Sequence, residues 1–257
     1  MKITLIQDSI VWADKKANLQ KTELQLKALA GKTELVVLPE MFTTGFCTNR
    51  LDLGEGMQGE TICRLKEWAA SYQLAITGSF IAAENEKHYN RAFFVFPDGE
   101  TVTADKRHLF SMGGEDKLFA AGDKRLMVRY RDFNICVLVC YDLRYPVWSR
   151  NVANEYDLLV YTASWPQSRI SVWNTLLAAR AIENQAYVCG VNRVGEDAEN
   201  IRYNGCSKLI DAKGKELFAA PLGEQSVATI ELSINELNDF RAKFPVWKDA
   251  DKFGICQ

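Results

Sequence analysis

The chain of 257 residues predicts an α/β fold on two observations. Short apolar, β-branched runs alternate with segments of helical periodicity, and several runs, such as Leu158-Leu159-Val160-Tyr161, are apolar at nearly every position. A strand apolar on both faces is buried on both faces. The sheets must therefore be covered, and the intervening helices are what can cover them. No linker, charge run or internal repeat divides the chain, so residues 1–257 read as one domain, within the reach of α/β folds that run to about 250 residues.

Taken in order, strands are expected at 2–7, 34–38, 74–80, 90–96, 100–105, 126–130, 133–139, 157–162, 187–193, 205–210, 215–219 and 225–230. Helices are expected at 15–30, 58–72, 146–154, 171–185 and 233–242. The first helix carries Leu19, Leu26, Leu29 and Ala30 on one face. Pro146 suits the first turn of a helix, where a missing N–H costs nothing. Pro97-Asp98-Gly99 and Asp211-Ala212-Lys213-Gly214 are turn signals that join flanking strands as hairpins.

Composition narrows the function. The chain is 47% hydrophobic, enough for a large core, and its net charge of −2 implies no general attraction for nucleic acid or anionic membrane. No apolar stretch reaches the roughly 18 residues that span a bilayer. The opening segment Met1-Lys2-Ile3-Thr4-Leu5-Ile6 reads as a strand, not a signal peptide. Seven cysteines (47, 63, 136, 140, 189, 206 and 256) form no framework, which places the chain in a reducing compartment, the cytoplasm. Without a Cys-x2-Cys pair, and with only His88 and His108, no zinc site is expected. On one strand Cys136 and Cys140 would lie about 13 Å apart, too far for a disulfide.

Three segments end in chemically useful side chains. Ile135-Cys136-Val137-Leu138-Val139 delivers the Cys140 thiol to a strand tip before the turn Tyr141-Asp142-Leu143-Arg144-Tyr145-Pro146. Leu35-Val36-Val37-Leu38-Pro39 delivers the Glu40 carboxylate, and an apolar floor there suits a general base. A third apolar stretch leads to Asp105-Lys106-Arg107-His108. Beside a thiol, Lys106 can favour the thiolate and stabilise negative charge on a reacting oxygen. Each residue also has a plainer reading: Cys140 as a buried small hydrophobe, Glu40 as a loop acid, Lys106 as a solvated lysine. Cys47, Cys63, Cys189, Cys206 and Cys256 lack the strand-tip context and take structural or surface roles. A Cys–His mechanism would need His108 as base, because His88 follows the polar stretch Glu84-Asn85-Glu86-Lys87. The scarcity of histidine favours a carboxylate.

Leu38-Pro39-Glu40, Asp105-Lys106-Arg107-His108-Leu109-Phe110 and Val139-Cys140-Tyr141-Asp142-Leu143-Arg144-Tyr145-Pro146 resemble, in order, the three signatures of the nitrilase superfamily of carbon–nitrogen hydrolases. The resemblance extends to Ala163-Ser164-Trp165-Pro166 and Arg180-Ala181-Ile182-Glu183-Asn184-Gln185-Ala186-Tyr187. It points in particular to the short bacterial ω-amidase branch, through Pro146-Val147-Trp148-Ser149-Arg150-Asn151 and the tail Lys243-Phe244-Pro245-Val246-Trp247. It implies a four-layer α-β-β-α sandwich, commonly paired as a homodimer with the sheets continuing across the interface, and no cofactor. It also implies roles: Glu40 as base, Cys140 as the nucleophile that forms a thioester, and Lys106 with the Tyr141 backbone N–H as oxyanion stabiliser. A second glutamate in the loop after the lysine is matched by Glu115, with Asp116 the weaker option.

The same resemblance implies a substrate with an amide at one end and a carboxylate at the other, such as 2-oxoglutaramate. Arg144 resembles the branch's carboxylate-binding arginine and could otherwise buttress the turn. His108 could add a polar contact, and Phe42, Phe46 and Trp165 could wall the pocket or belong to the core. The tyrosine that follows the glutamate motif in some ω-amidases has no counterpart in Met41-Phe42-Thr43-Thr44-Gly45-Phe46. Carbamoyl-amine, nitrile and deaminated-peptide amide hydrolysis are the alternatives on the same chemistry. A non-catalytic binding protein on this fold is a third reading, and a metallohydrolase a distant fourth.

Overall fold

The computed structural model describes residues 1–254; Cys256 and the end of the expected domain lie outside the described residues. The first sheet contains β1 (Lys2–Gln7), β2 (Leu35–Val37), β3 (Ala75–Glu84), β4 (Lys87–Val95), β5 (Thr101–Asp105) and β14 (Ser226–Glu231). The second contains β6 (Leu126–Tyr130), β7 (Phe133–Val139), β8 (Leu158–Ala163), β9 (Tyr187–Asn192), β12 (Lys208–Ile210) and β13 (Glu216–Ala219), while β10 (Val194–Glu196) and β11 (Arg202–Asn204) form a separate hairpin. Their spatial orders are β14-β1-β2-β3-β4-β5 and β13-β12-β9-β8-β7-β6. Each sheet has a parallel centre, β1-β2-β3 and β7-β8-β9, with antiparallel strands outside it.

Alternation along the central strands sorts side chains between layers. Leu35 and Val37 of β2 join Ile3, Leu5 and Phe94 in a cluster shared with Ile135, Val137 and Val160 of the second sheet. Between them, Val36 turns to the other face and meets Ile6, Ile76, Leu26, Leu65 and Trp68. That outer face is covered by α1 (Lys15–Leu29) and α2 (Glu60–Tyr72). The second sheet is covered by α5 (Ile170–Asn184), through Trp173, Leu177 and Ala181, and by α6 (Ile234–Lys243), through Leu237. The result is the expected α-β-β-α sandwich, in which each fully buried Leu, Ile or Val contributes about 1.5–3 kcal/mol. The Asp14 carboxylate caps α1 by accepting from the Ala17 N–H. Among the described residues no helix is long and apolar enough to cross a membrane.

Three expectations are corrected. The helix expected at 146–154 stops as α4 (Pro146–Ser149). Asn151 draws the chain out of it, exchanging hydrogen bonds with Tyr156 and Asn184, and Ala153 and Asn154 take positive φ. The strand expected at 205–210 begins only at Lys208, because Gly205 and Cys206 both have positive φ (73° and 59°). The residues just before it pair instead in the hairpin of β10 and β11, within 194–204, where no strand was expected. A further short helix, α3 (Glu115–Leu118), interrupts the loop after β5.

Candidate active site

The four candidate catalytic residues reach one place because the strands carrying them end on one side of the sandwich. Glu40 follows β2, Lys106 follows β5 and Cys140 follows β7, while α3 brings Glu115 back beneath the lysine. Glu40 and Glu115 are fully buried, Lys106 is 2% exposed and Cys140 is 9% exposed. The thiol is thus covered but reachable.

Lys106 Nζ lies 3.1 Å from Glu40 Oε1 and 2.8 Å from Glu115 Oε2. Its charge sits 5.4 Å from the centroid of the Phe46 ring. Glu40 Oε2 accepts the Ser164 backbone N–H at 2.8 Å, and Glu115 Oε2 accepts that of Phe110 at 2.6 Å. Asn90 Nδ2 bridges the two carboxylates, 2.7 Å from Glu40 Oε1 and 3.1 Å from Glu115 Oε1. These donors hold both carboxylates in place, as buried charges require. Asp116, the alternative to Glu115, is exposed.

Cys140 does not sit in extended backbone. Its φ is +43°, and it opens a 3-10 turn through Arg144. A non-glycine residue in the left-handed region costs about 1–2 kcal/mol, and such strain concentrates at functional positions. Asp142 fixes the elbow: its carboxylate accepts the backbone N–H of Val139 at 3.1 Å and of His108 at 3.0 Å. Arg180, from α5, donates to the Leu143 carbonyl at 2.7 Å. The turn carrying the thiol is therefore tied both to the loop carrying Lys106 and to the covering helix.

Lys106 draws the Cys140 pKa down, as expected of an ammonium beside a thiol, but other influences outweigh it. Burial pushes the Cys140 thiol well above its ordinary value, the Glu40 carboxylate adds to the rise, and the opposing pull of Lys106 is smaller. The resting thiol is protonated, so reaction requires a base. Burial alone would lower the Lys106 pKa, but the Glu115 and Glu40 carboxylates oppose it and the net movement is upward. Cys136, in the core, is pushed up to about 12 by burial, as suits an inert thiol.

These movements fix a pH dependence. Above the ordinary cysteine value of 9.0 the unfolded chain loses the Cys140 proton while the folded chain keeps it, and above 10.5 the same holds for Lys106. The native state then binds more protons than the unfolded one, so stability falls as pH rises. Chemical-denaturation midpoints should be highest below pH 9 and decline through the alkaline range. A flat profile to pH 11 would contradict this assignment.

The thiol opens into a cavity of about 100 Å³ whose lining includes Glu40, Phe46, Lys106, Tyr141, Arg144 and Trp165, and also Arg169 and Tyr203. Arg144 and Arg169 are half-buried. Two residues expected there are elsewhere. Phe42 is 3% exposed in the core between the first sheet and its helices, edge-on to Phe93 at 5.9 Å. His108 stacks on Tyr145 at 3.7 Å, with Nδ1 2.7 Å from Asp142 Oδ1, so it braces the elbow. Asn90, Ser164 and Asp142 bear on the site without having been singled out from sequence. Ser164 lies inside the quoted segment 163–166, whereas Asn90, at the start of an expected strand, carries no distinguishing signal.

A covered thiol between a carboxylate and an ammonium is suited to acyl transfer through a covalent intermediate, and the fold around it is that of the hydrolases of carbon–nitrogen bonds. The chain belongs to the carbon–nitrogen hydrolase family, which it matches over residues 2–242. It is 44% identical over 253 residues to omega-amidase YafV of Yersinia enterocolitica, covering 98% of each chain. It is 30% identical to the 2-oxoglutaramate amidase of Bacillus subtilis, covering 97% of each. A CN-hydrolase superfamily protein from Xanthomonas campestris, solved with an arsenic adduct in its active site, superposes with a TM-score of 0.97 at 39% identity, covering 100% of this chain and 99% of that one.

Proposed function

We propose that this protein is an ω-amidase, hydrolysing the terminal amide of a dicarboxylic acid monoamide such as 2-oxoglutaramate to the acid and ammonia. The observation that carries the mechanism is the elbow itself, which holds Cys140 at φ +43° within reach of the charges of Glu40 and Lys106. Glu40 takes the Cys140 proton as sulfur attacks the amide carbon. The oxyanion meets Lys106 and the backbone N–H of Tyr141, which stands in the first turn of a 3-10 helix where N–H groups lack helical partners. Collapse expels the amine, which Glu40 protonates to ammonia, leaving a thioester on Cys140. Glu40 then draws a proton from water as the water attacks the thioester, and the acid leaves with the thiol restored. Glu115 keeps the lysine positioned and charged through all four steps.

Among known relatives, the proteins called omega-amidase and 2-oxoglutaramate amidase cover nearly their whole lengths with this chain, which supports the choice of amide. At the far end of the substrate Arg144 meets the carboxylate. Its guanidinium lies over the Trp165 ring at 5.1 Å and makes no ion pair among the described residues, so its N–H groups remain available. The reading extends to a cytoplasmic homodimer. The described cysteines are free thiols, which a reducing compartment preserves. Val147, Ile182 and Phe244 are each more than half exposed around α4, α5 and the end of α6, which supports burial against a second copy.

Ammonia release tests the assignment. 2-Oxoglutaramate should be turned over with a higher kcat/KM than pentanamide, a neutral amide of similar length, and Arg144→Ala should reduce that ratio about 10- to 100-fold, as loss of a charge-assisted contact does. A substrate panel that ranks nitriles or carbamoyl amines above ω-monoamides would overturn the reading.

A further inference from the structure

The charge balance of the cavity requires more than one arginine at its outer end. Lys106 is already engaged by Glu40 and Glu115. The remaining charged residues of the lining are Arg144, Arg169, Asp197 and Glu199. With Arg144 alone, a substrate carboxylate would face one cation against two anions. Arg169 makes the outer end neutral before substrate enters.

Arg169 is also held in a manner that leaves its donors free. Its guanidinium lies 5.2 Å from the Phe110 ring centroid, and no side-chain hydrogen bond or ion pair engages it among the described residues. Its own carbonyl accepts the Trp165 indole N–H at 2.9 Å. Phe110 lies edge-on to Tyr141 at 5.2 Å. Two guanidiniums thus lie against aromatic side chains that line one small cavity, Arg144 near Tyr141 and Trp165 and Arg169 near Phe110. Asp197 balances their charge without pairing with either guanidinium among the described residues: one oxygen accepts the backbone N–H groups of Glu199 and Ile201, and the other accepts the Tyr203 hydroxyl.

We propose that Arg169 is a specificity-determining residue that, together with Arg144, clamps the distal carboxylate of the substrate. This rests on the ω-amidase reading for the identity of the substrate. The aromatic supports fix the two planes before binding, so little side-chain freedom is lost when the anion arrives. Phe110 links the clamp to the reacting end, because its backbone N–H holds Glu115. A substrate of the right length therefore loads both ends of one connected structure.

The test separates the clamp from the chemistry. Calorimetric titration of 2-oxoglutarate, the acid product, into Cys140→Ser protein measures carboxylate binding without turnover. Binding should weaken about 10- to 100-fold when Arg169→Ala is added, the loss expected for a charge-assisted hydrogen bond, and Arg169→Lys should restore part of it. Adding Arg144→Ala to Arg169→Ala should cost less than the sum of the two, because they hold one group. In the active enzyme, Arg169→Ala should raise KM for the charged amide with a smaller change in kcat, and lower its preference over pentanamide. Unchanged binding in the Arg169→Ala background, or no measurable binding to Cys140→Ser at all, would overturn the clamp. Absence of turnover of ω-monoamides by the wild-type enzyme would instead overturn the function on which it rests, and the titration would read separately from that.

Discussion

Cys140→Ala should abolish hydrolysis of the ω-amide, by at least about 10⁴-fold in kcat, with the fold retained. Without sulfur no thioester can form, and water must attack the amide directly. The Lys106 ammonium and Tyr141 N–H remain to receive an oxyanion, so a small residual rate above solution is expected. Stability should change little, since one sulfur atom is lost from a position already opening on the cavity. Alanine inherits the strain of φ +43°. Cys140→Gly should therefore be more stable than Cys140→Ala by about 1 kcal/mol, the cost of a side chain in the left-handed region, and equally inactive. Ammonia release, intact-mass detection of the acyl-enzyme and urea midpoints read the three parts separately. Activity surviving in Cys140→Ala would end the thioester mechanism.

The elbow also marks what sequence could and could not convey. Glu40, Lys106 and Cys140 were legible because each ends an apolar run and the three, in order, resemble one set of signatures; alone, each had a plainer reading. The two facing sheets were foreshadowed by runs apolar at nearly every position, and their four-layer arrangement by resemblance. Asn90 was not legible: it bridges Glu40 and Glu115 from inside β4, yet in the sequence it is one asparagine near a strand start, where such residues commonly serve turns. The hairpin of β10 and β11 was hidden for a similar reason, since its tip, Glu196-Asp197-Ala198-Glu199-Asn200, has the composition of an open loop. The premature end of the helix at Ser149 depends on the partners of Asn151 at Tyr156 and Asn184, and long-range satisfaction of one side chain has no local signal. Phe42 and His108 failed as pocket residues because a position in a motif does not determine which side of a turn a ring takes. Phe42 turned into the helix-covered core and His108 onto Tyr145.

Lys106→Met should damage both reaction and fold, because the proposed oxyanion partner is also the counter-ion of two buried carboxylates. Removing the oxyanion partner should lower kcat by about 10²–10³-fold. The same change strands Glu40 and Glu115, both fully buried, beside each other. Breaking a buried ion pair by deleting one partner costs about 3–5 kcal/mol, a large part of the roughly 5–15 kcal/mol that holds a domain together. Ser164, Phe110 and Asn90 still donate to the two carboxylates, which limits the loss without replacing a positive charge. Thermal and urea unfolding should both register it, and the deficit should shrink in mild acid, where a stranded carboxyl takes up a proton. A second substitution separates the two roles. Lys106→Met combined with Glu115→Gln leaves one buried carboxylate instead of two, and should recover much of the stability with none of the activity. If the double variant regained turnover, Lys106 would be a counter-ion for Glu115 and nothing more. If it stayed as unstable as Lys106→Met, the repulsion between Glu40 and Glu115 would not be the source of the loss. Recovery of fold without recovery of rate is the result that the 3.1 Å and 2.8 Å contacts of a single ammonium with both carboxylates lead us to expect.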